Sequence, residues 1–169
     1  VGMQANADYI FFVFFEVCNK VGGIYTVVKS KAAAMKKHYQ NYFLIGPYYK
    51  DKPDVEFLEE EPPKYFEDIF EKLKDEGIIC HYGKWQIKGE PETILIDFMD
   101  YKHKQHDLQK KYWEKYNIDT IESHWDFIEP MLWSTACGRL IELFTEKNKD
   151  KKIVGHFHEW LSGFAGLWL

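Results

Sequence analysis

Cysteine is scarce in this chain. Cys18, Cys80 and Cys137 are the three present, an odd and widely spaced set without a CxxC pair. That excludes a disulfide framework and a zinc ribbon and fits a reducing cytoplasm. Positive charge is also short: 22 Lys and Arg stand against 27 Asp and Glu, a net charge of -5. Such a balance discourages attachment to phosphate backbones or acidic lipid, so neither nucleic acid nor a membrane surface is expected as a partner. The longest apolar run, Tyr9 to Phe15, falls far short of the roughly 20 residues a spanning helix needs, and the start lacks the basic stretch and cleavage site of a signal peptide. The expectation is a soluble cytoplasmic protein. Neither GxxxxGK[ST] nor GxGxxG occurs, and there is no internal repeat, low-complexity tract or flexible linker.

What is abundant is apolar and aromatic. With 169 residues and 46% hydrophobic content, residues 1–169 are read as a single domain with a sizeable core. Aromatics reach 18%. Core packing accounts for most, while Tyr48, Tyr49 and Trp160 are candidates to stack on sugar rings.

Tyr9 to Val17 is a continuous aromatic and β-branched run, the pattern of a strand buried on both faces. After Asn19 to Gly23, apolar residues Val27, Val28, Ala32, Met35 and Tyr39 recur at helical spacing from Tyr25 to Tyr39. Asn41 to Gly46 closes a β-α-β unit, whose right-handed crossover makes its strands parallel. Asp51 to Pro63 is read as a loop, Pro63 as the start of a helix to about Glu76, and Gly77 as its stop. Ile78 to His81 and Thr93 to Phe98 are strands joined by a hairpin connection. Tyr101 to Tyr116 is a polar helix, Pro130 to Lys147 an amphipathic one, Lys152 to His156 a short strand, and Trp160 to Leu169 an exposed apolar helix. The alternation gives an α/β fold, a Rossmann-like, doubly wound, mostly parallel sheet with helices on both faces.

Two local patterns can carry chemistry. Lys20, Gly22 and Gly23 lie between the first strand and the first helix. A loop there offers free backbone N-H groups and the positive end of a helix dipole, glycines let a ligand approach the main chain, and the Lys20 ammonium suits a diphosphate. A tight turn explains the same glycines, and spacing leaves both readings open. The second pattern is His156-Phe157-His158-Glu159-Trp160, at the carboxyl end of the last strand. Imidazoles and a carboxylate there can bind sugar hydroxyls or exchange protons. In an extended segment His156 and His158 are expected on opposite sides, so no metal is assigned to them. The competing reading makes His156 a satisfied core histidine and Glu159 a helix N-terminal carboxylate.

The run Glu16-Val-Cys-Asn-Lys-Val-Gly-Gly-Ile-Tyr-Thr-Val-Val28 resembles the opening motif of the animal and fungal type of glycogen synthases, and His156-Phe-His-Glu-Trp-Leu-Ser-Gly163 resembles their second N-domain motif. Tyr42-Phe-Leu-Ile-Gly-Pro-Tyr48 is similar to their second strand and the turn after it. Residues 51–151 match less clearly, as in a shortened archaeal or bacterial relative.

The resemblance implies a two-domain glycosyltransferase of which this chain is a partial N-terminal domain. Two facing Rossmann-like domains would hold a nucleoside diphosphate glucose, UDP-glucose or ADP-glucose. Glucose would pass with retained α configuration to the 4-hydroxyl at the non-reducing end of glycogen or another α-glucan, with no cofactor or metal required. By motif matching, Lys20, Gly22, Gly23, His156 and Trp160 would bind substrate, and His158 and Glu159 would be catalytic. The family's C-terminal domain, which supplies the nucleotide pocket, has no counterpart here. Phe14-Phe15 replaces an Ala-Trp pair, and the chain stops before a Thr-His element. The chain alone is therefore expected to be inactive, with a C-terminal glycosyltransferase domain or a homo-oligomer as partner. The alternative is a catalytically inactive α/β module that binds glucan or a partner chain.

Overall fold

The computed structural model describes residues 6–20, 23–52 and 56–169. Its elements run β1 (Tyr9–Val13), α1 (Ile24–His38), β2 (Tyr42–Pro47), β3 (Phe57–Glu59), α2 (Lys64–Asp75), β4 (Ile79–Trp85), β5 (Glu92–Asp97), a 3-10 turn (Asp100–Lys104), α3 (Gln105–Tyr116), α4 (Trp125–Lys147), β6 (Ile153–Phe157), a second 3-10 turn (Trp160–Ser162) and α5 (Gly163–Trp168). The strands form one six-stranded sheet in the order β3-β4-β5-β2-β1-β6. β1 pairs parallel with β2 and β6, and β2 pairs parallel with β5, while β4 runs antiparallel to both of its neighbours. This is the α/β, mostly parallel architecture expected, with β1 an interior strand between β2 and the edge strand β6.

Period-two alternation divides the core. Ile10, Phe12 and Phe14 join Tyr25, Val28 and Ala32 beneath α1. Phe11, Val13 and Phe15 face the opposite layer, where Phe66 of α2, Tyr112 of α3, Trp133 and Phe144 of α4 and Phe164 of α5 pack. One helix therefore covers the first face and four cover the second. That thin first face is where the sequence motifs emerge.

Several expected boundaries move. The first strand ends at Val13 rather than Val17, because the chain turns, with the Val17 N-H donating to Phe14 O at 3.2 Å. The turn rests on β2: a Cβ at Gly46 would lie 2.5 Å from Val17 O. β3 forms within the stretch expected to be a loop, by pairing with β4. α4 begins at Trp125 rather than Pro130 and keeps the proline inside, one N-H short. Val27 points outward, 43% exposed, although its spacing placed it on the apolar face of α1. The terminal helix is not the exposed apolar element expected. Phe164 and Ala165 are buried on α4, where Gly138 admits Ala165 O to 2.9 Å from where a Cβ would stand. Gly77, at φ +90°, does end the α2 segment as expected. Among the described residues no helix is long and apolar enough to cross a membrane.

Candidate functional site at the carboxyl edge of β1 and β6

β1 and β6 are parallel neighbours in a register that sets Val13 beside Phe157, and the His158 N-H donates to Val13 O at 3.0 Å. Both strands therefore end level, and both motifs leave the sheet at its carboxyl edge, where open α/β sheets bind ligands. The first leads through the Phe14–Cys18 turn to Lys20 and Gly23; the second continues directly as His158, Glu159 and Trp160.

In the first motif Lys20 and Gly23 are exposed. Gly22 lies outside the described residues. Gly23 takes φ -78° and ψ -20°, ordinary angles for any residue, and a Cβ there would have nothing within 4 Å. At this glycine the tight-turn explanation fails: the backbone does not require it, and its missing side chain leaves open space. The expectation of free N-H groups at the start of α1 also needs correcting. Tyr25, the second residue of α1, donates its N-H to Glu16 Oε2 at 3.1 Å. A carboxylate thus already meets the positive end of that helix.

The Tyr25 hydroxyl donates to Glu56 Oε2. Glu56 also accepts from Trp85 Nε1 at 3.2 Å and pairs with Lys29 at 3.3 Å. These contacts, the Tyr25 bond foremost, hold the Glu56 carboxyl below its ordinary range against the opposing effect of burial. Neither Glu16 nor Glu56 was singled out from the sequence. Glu16 did give a signal, as a lone carboxylate interrupting an apolar run, since a charge in such a place needs partners.

In the second motif the two imidazoles lie together. Residues two apart on a strand share a face, so the expected divergence of His156 and His158 is overturned. Their ring centroids are 5.3 Å apart with planes 21° from parallel. His156 packs edge-on to Phe12 at 4.8 Å, and His158 contacts Phe12 and Phe14, each at 5.3 Å. Desolvation first, then the neighbouring His158 and Lys31, pushes the His156 pKa below its usual value. Among the described residues no group of three or more His, Cys, Asp or Glu is placed to hold a metal ion.

Glu159 has φ 63° and ψ 175°, a region that an L side chain strongly disfavours. Ser162, fully buried, pins this kink: its hydroxyl donates to His158 O at 2.6 Å, and its N-H donates to Glu159 O at 3.3 Å. The described non-glycine residues with positive φ are Cys18, Glu90, Asn117 and Glu159, and the first and last of these fall in the two motifs. Trp160 turns towards the α4 layer, where its ring lies nearly parallel to Phe127 at 6.1 Å, and it remains 59% exposed. The other aromatic candidates are engaged by the protein. Tyr48 stacks on His81 at 3.8 Å, and the Tyr49 hydroxyl donates to Glu129 at 2.8 Å.

A family model described as Glycogen synthase matches residues 12–169. The chain is 34% identical over 157 residues to the Glycogen [starch] synthase of Dictyostelium discoideum, covering 89% of this chain and 17% of that protein. It is 32% identical over 164 residues to the Glycogen [starch] synthase of Neurospora crassa, covering 96% and 23% respectively. The liver Glycogen [starch] synthase of Rattus norvegicus is 29% identical over 159 residues, 91% of this chain and 22% of its own length. The chain thus spans about a fifth of the length of these curated relatives.

Proposed function

Because the chain belongs to the glycogen synthase family, we propose that it carries one wall of a cleft in which a nucleoside diphosphate glucose gives its glucose to an α-glucan. The observation that carries this reading is the level ending of β1 and β6, which brings two separate family-like motifs to one edge of the sheet. The anomeric carbon of the donor loses its bond to the diphosphate oxygen and gains one to the 4-hydroxyl oxygen of the chain end, with configuration retained. UDP-glucose and ADP-glucose both fit this chemistry.

Within this reading, Lys20 and Gly23, with Gly22 assigned by its place in the family-like motif, belong to the side of the departing diphosphate, where the fixed positive charge of Lys20 favours the transition state over the ground state. His158 and Glu159 line the sugar and acceptor side, orienting hydroxyls from a segment whose backbone is rigidly pinned. His156, beside His158, favours its neutral form and acts as a hydrogen-bonding partner, and Trp160 offers an exposed face to the glucan. The opposite wall, with the nucleotide pocket, belongs to a C-terminal glycosyltransferase domain.

Radiolabelled glucose transfer to glycogen, by the chain alone and with a family C-terminal domain supplied, tests this. Incorporation only in the mixture is expected. Transfer by the chain alone would overturn the one-wall reading, and a mixture that binds donor yet transfers nothing would overturn the site. A second reading, a glucan-binding module without catalysis, draws on exposed Trp160 over Phe127. Cosedimentation with glycogen that Trp160→Ala abolishes, with no transfer in the mixture, would favour it.

A further inference from the structure

We propose that Asp97 and Lys50 form a subsite for neighbouring hydroxyls of an α-glucan, at the carboxyl ends of β5 and β2 and apart from both motifs; this rests on the acceptor half of the proposed function. Asp97 is the last residue of β5 and is 3% exposed. Leu95 joins the core beneath α1, and Asp97, two residues on, faces the same side. Its carboxylate is half used. Oδ1 accepts from the Met99 N-H at 3.1 Å, whereas Oδ2, also buried, makes no hydrogen bond with any described residue. The Lys50 ammonium pairs with Oδ2 at 3.5 Å, but that side chain is 67% exposed, so water screens the pair. A buried carboxylate oxygen left in this state is costly, and a ligand O-H that reaches it supplies the missing bond.

The surroundings select the ligand. Pro47 of β2 stands beside Ile96, and the Tyr48 N-H donates to Ile96 O at 2.9 Å, which sets Tyr48 next to the end of β5. On the other flank His81 of β4 pairs with Leu95, stacks on Tyr48 at 3.8 Å and bonds Glu59 at 2.7 Å. An anionic ligand would meet two carboxylates, Asp97 and Glu59, against one lysine. A metal ion is poorly served, since among the described residues no group of three or more His, Cys, Asp or Glu is placed to hold one. A sugar fits this set. Lys50 swings outward, one hydroxyl donates to Asp97 Oδ2, its neighbour accepts from the Lys50 ammonium, and the Tyr48 and His81 stack gives a flat aromatic flank. β5 lies three strand spacings from β6, roughly 14 Å, so the subsite takes sugar units set back from the reacting end.

The test titrates the 15N-labelled chain with millimolar maltohexaose, followed by NMR, in the wild type, Asp97→Asn and Lys50→Met. In the wild type the amide signals of Lys50 and Met99 should shift. Asp97→Asn is expected to weaken the affinity read at these signals about tenfold, as fits loss of one charge-assisted hydrogen bond, and Lys50→Met about threefold. Equal affinity in Asp97→Asn would overturn the proposal. If that variant does not fold, Lys50→Met, at an exposed side chain, decides, and unchanged affinity there overturns it. Magnesium chloride moving the same signals, with maltohexaose moving neither, would make this a cation site and overturn it as well. Maltohexaose shifts confined to Glu159 and Trp160 would remove the subsite and leave the acceptor reading standing. With no shift anywhere the subsite falls, and glucose transfer in the mixture with a C-terminal domain then judges the acceptor reading by itself.

Discussion

The two motifs leave adjacent strands at the same edge of the sheet, yet they are held by opposite means. In the first motif Gly23 has an ordinary backbone and the residues on either side are held through side chains: Asn19 donates to Phe15 O, and Glu16 and Glu56 accept from the N-H and hydroxyl of Tyr25. The Glu159 segment has a backbone in a region disfavoured for any side chain and is fixed by Ser162 bonds to main-chain carbonyls. In the first those polar side chains are consumed by the scaffold, and a Cβ at Gly23 would meet open space. In the second the scaffold consumes main-chain groups, and the side chains of His156 and Glu159 are left exposed. In the proposed cleft this difference would set Gly23 and Lys20 on the phosphate side and the side chains of His156 and Glu159 on the hydroxyl side.

The sharpest way to break the first region is through Gly46, not through its own glycine. Gly46→Ala would drive a Cβ into Val17 O and Val17 Cβ, 2.5 and 2.8 Å away, and shift the turn that carries Glu16. A loss of about 3 kcal/mol is expected, since overpacking against backbone has no side chain to yield. Gly23→Ala meets nothing and should cost under about 1 kcal/mol, the ordinary penalty of alanine at a helix N-cap. It should nevertheless lower glucose transfer to glycogen in the mixture with a C-terminal domain. Urea unfolding of both variants measures the contrast, and equal losses would erase the distinction between a glycine the fold needs and one it does not.

The second region breaks at Ser162. Ser162→Ala leaves His158 O without its 2.6 Å donor and should cost about 2 kcal/mol in urea unfolding. The backbone strain can be read separately by comparing Glu159→Gly with Glu159→Ala. Both lose the carboxylate, and only glycine tolerates φ 63° with ψ 175°, so the glycine variant should be more stable by about 1 kcal/mol. An alanine variant as stable as the glycine one would mean that the kink carries no strain.

This contrast also explains which parts could be read from residues alone. The interior strand β1, its parallel partner β2 and the helix between them were visible because apolar runs and helical spacing have a fixed period. The Lys20 loop was visible because paired glycines between a strand and a helix are conspicuous. β3 was hidden because three residues carry no period and exist as a strand only through β4. Pro130 misplaced the start of α4, since proline favours a first turn and here occupies a later one. The kink at Glu159 left no trace, because glutamate does not signal a glycine-like backbone and its support, Ser162, looks like any serine. The bond from the Tyr25 N-H to Glu16 was half visible, as a charge in an apolar run whose partner only the fold could supply.

The smallest expected effect tests the side-chain half of the second region. His156 packs against Phe12 and faces His158 and Lys31, and its pKa in the folded chain lies below the unfolded value of about 6.5. The unfolded chain therefore binds its proton first as pH falls, so the contribution of neutral His156 to stability is complete above about pH 6.5 and is lost as pH drops through the lowered folded pKa. Thermal unfolding at pH 7.5 and at pH 5 should show a smaller acid-induced drop in Tm for His156→Gln than for the wild type. An identical drop would place the acid sensitivity elsewhere and remove the argument that the stacked pair keeps His156 neutral. Lys31→Gln separates the causes: if the lysine contributes as the lesser one, the acid-induced drop should shrink only slightly, and most of it should persist until the Phe12 and His158 contacts are changed.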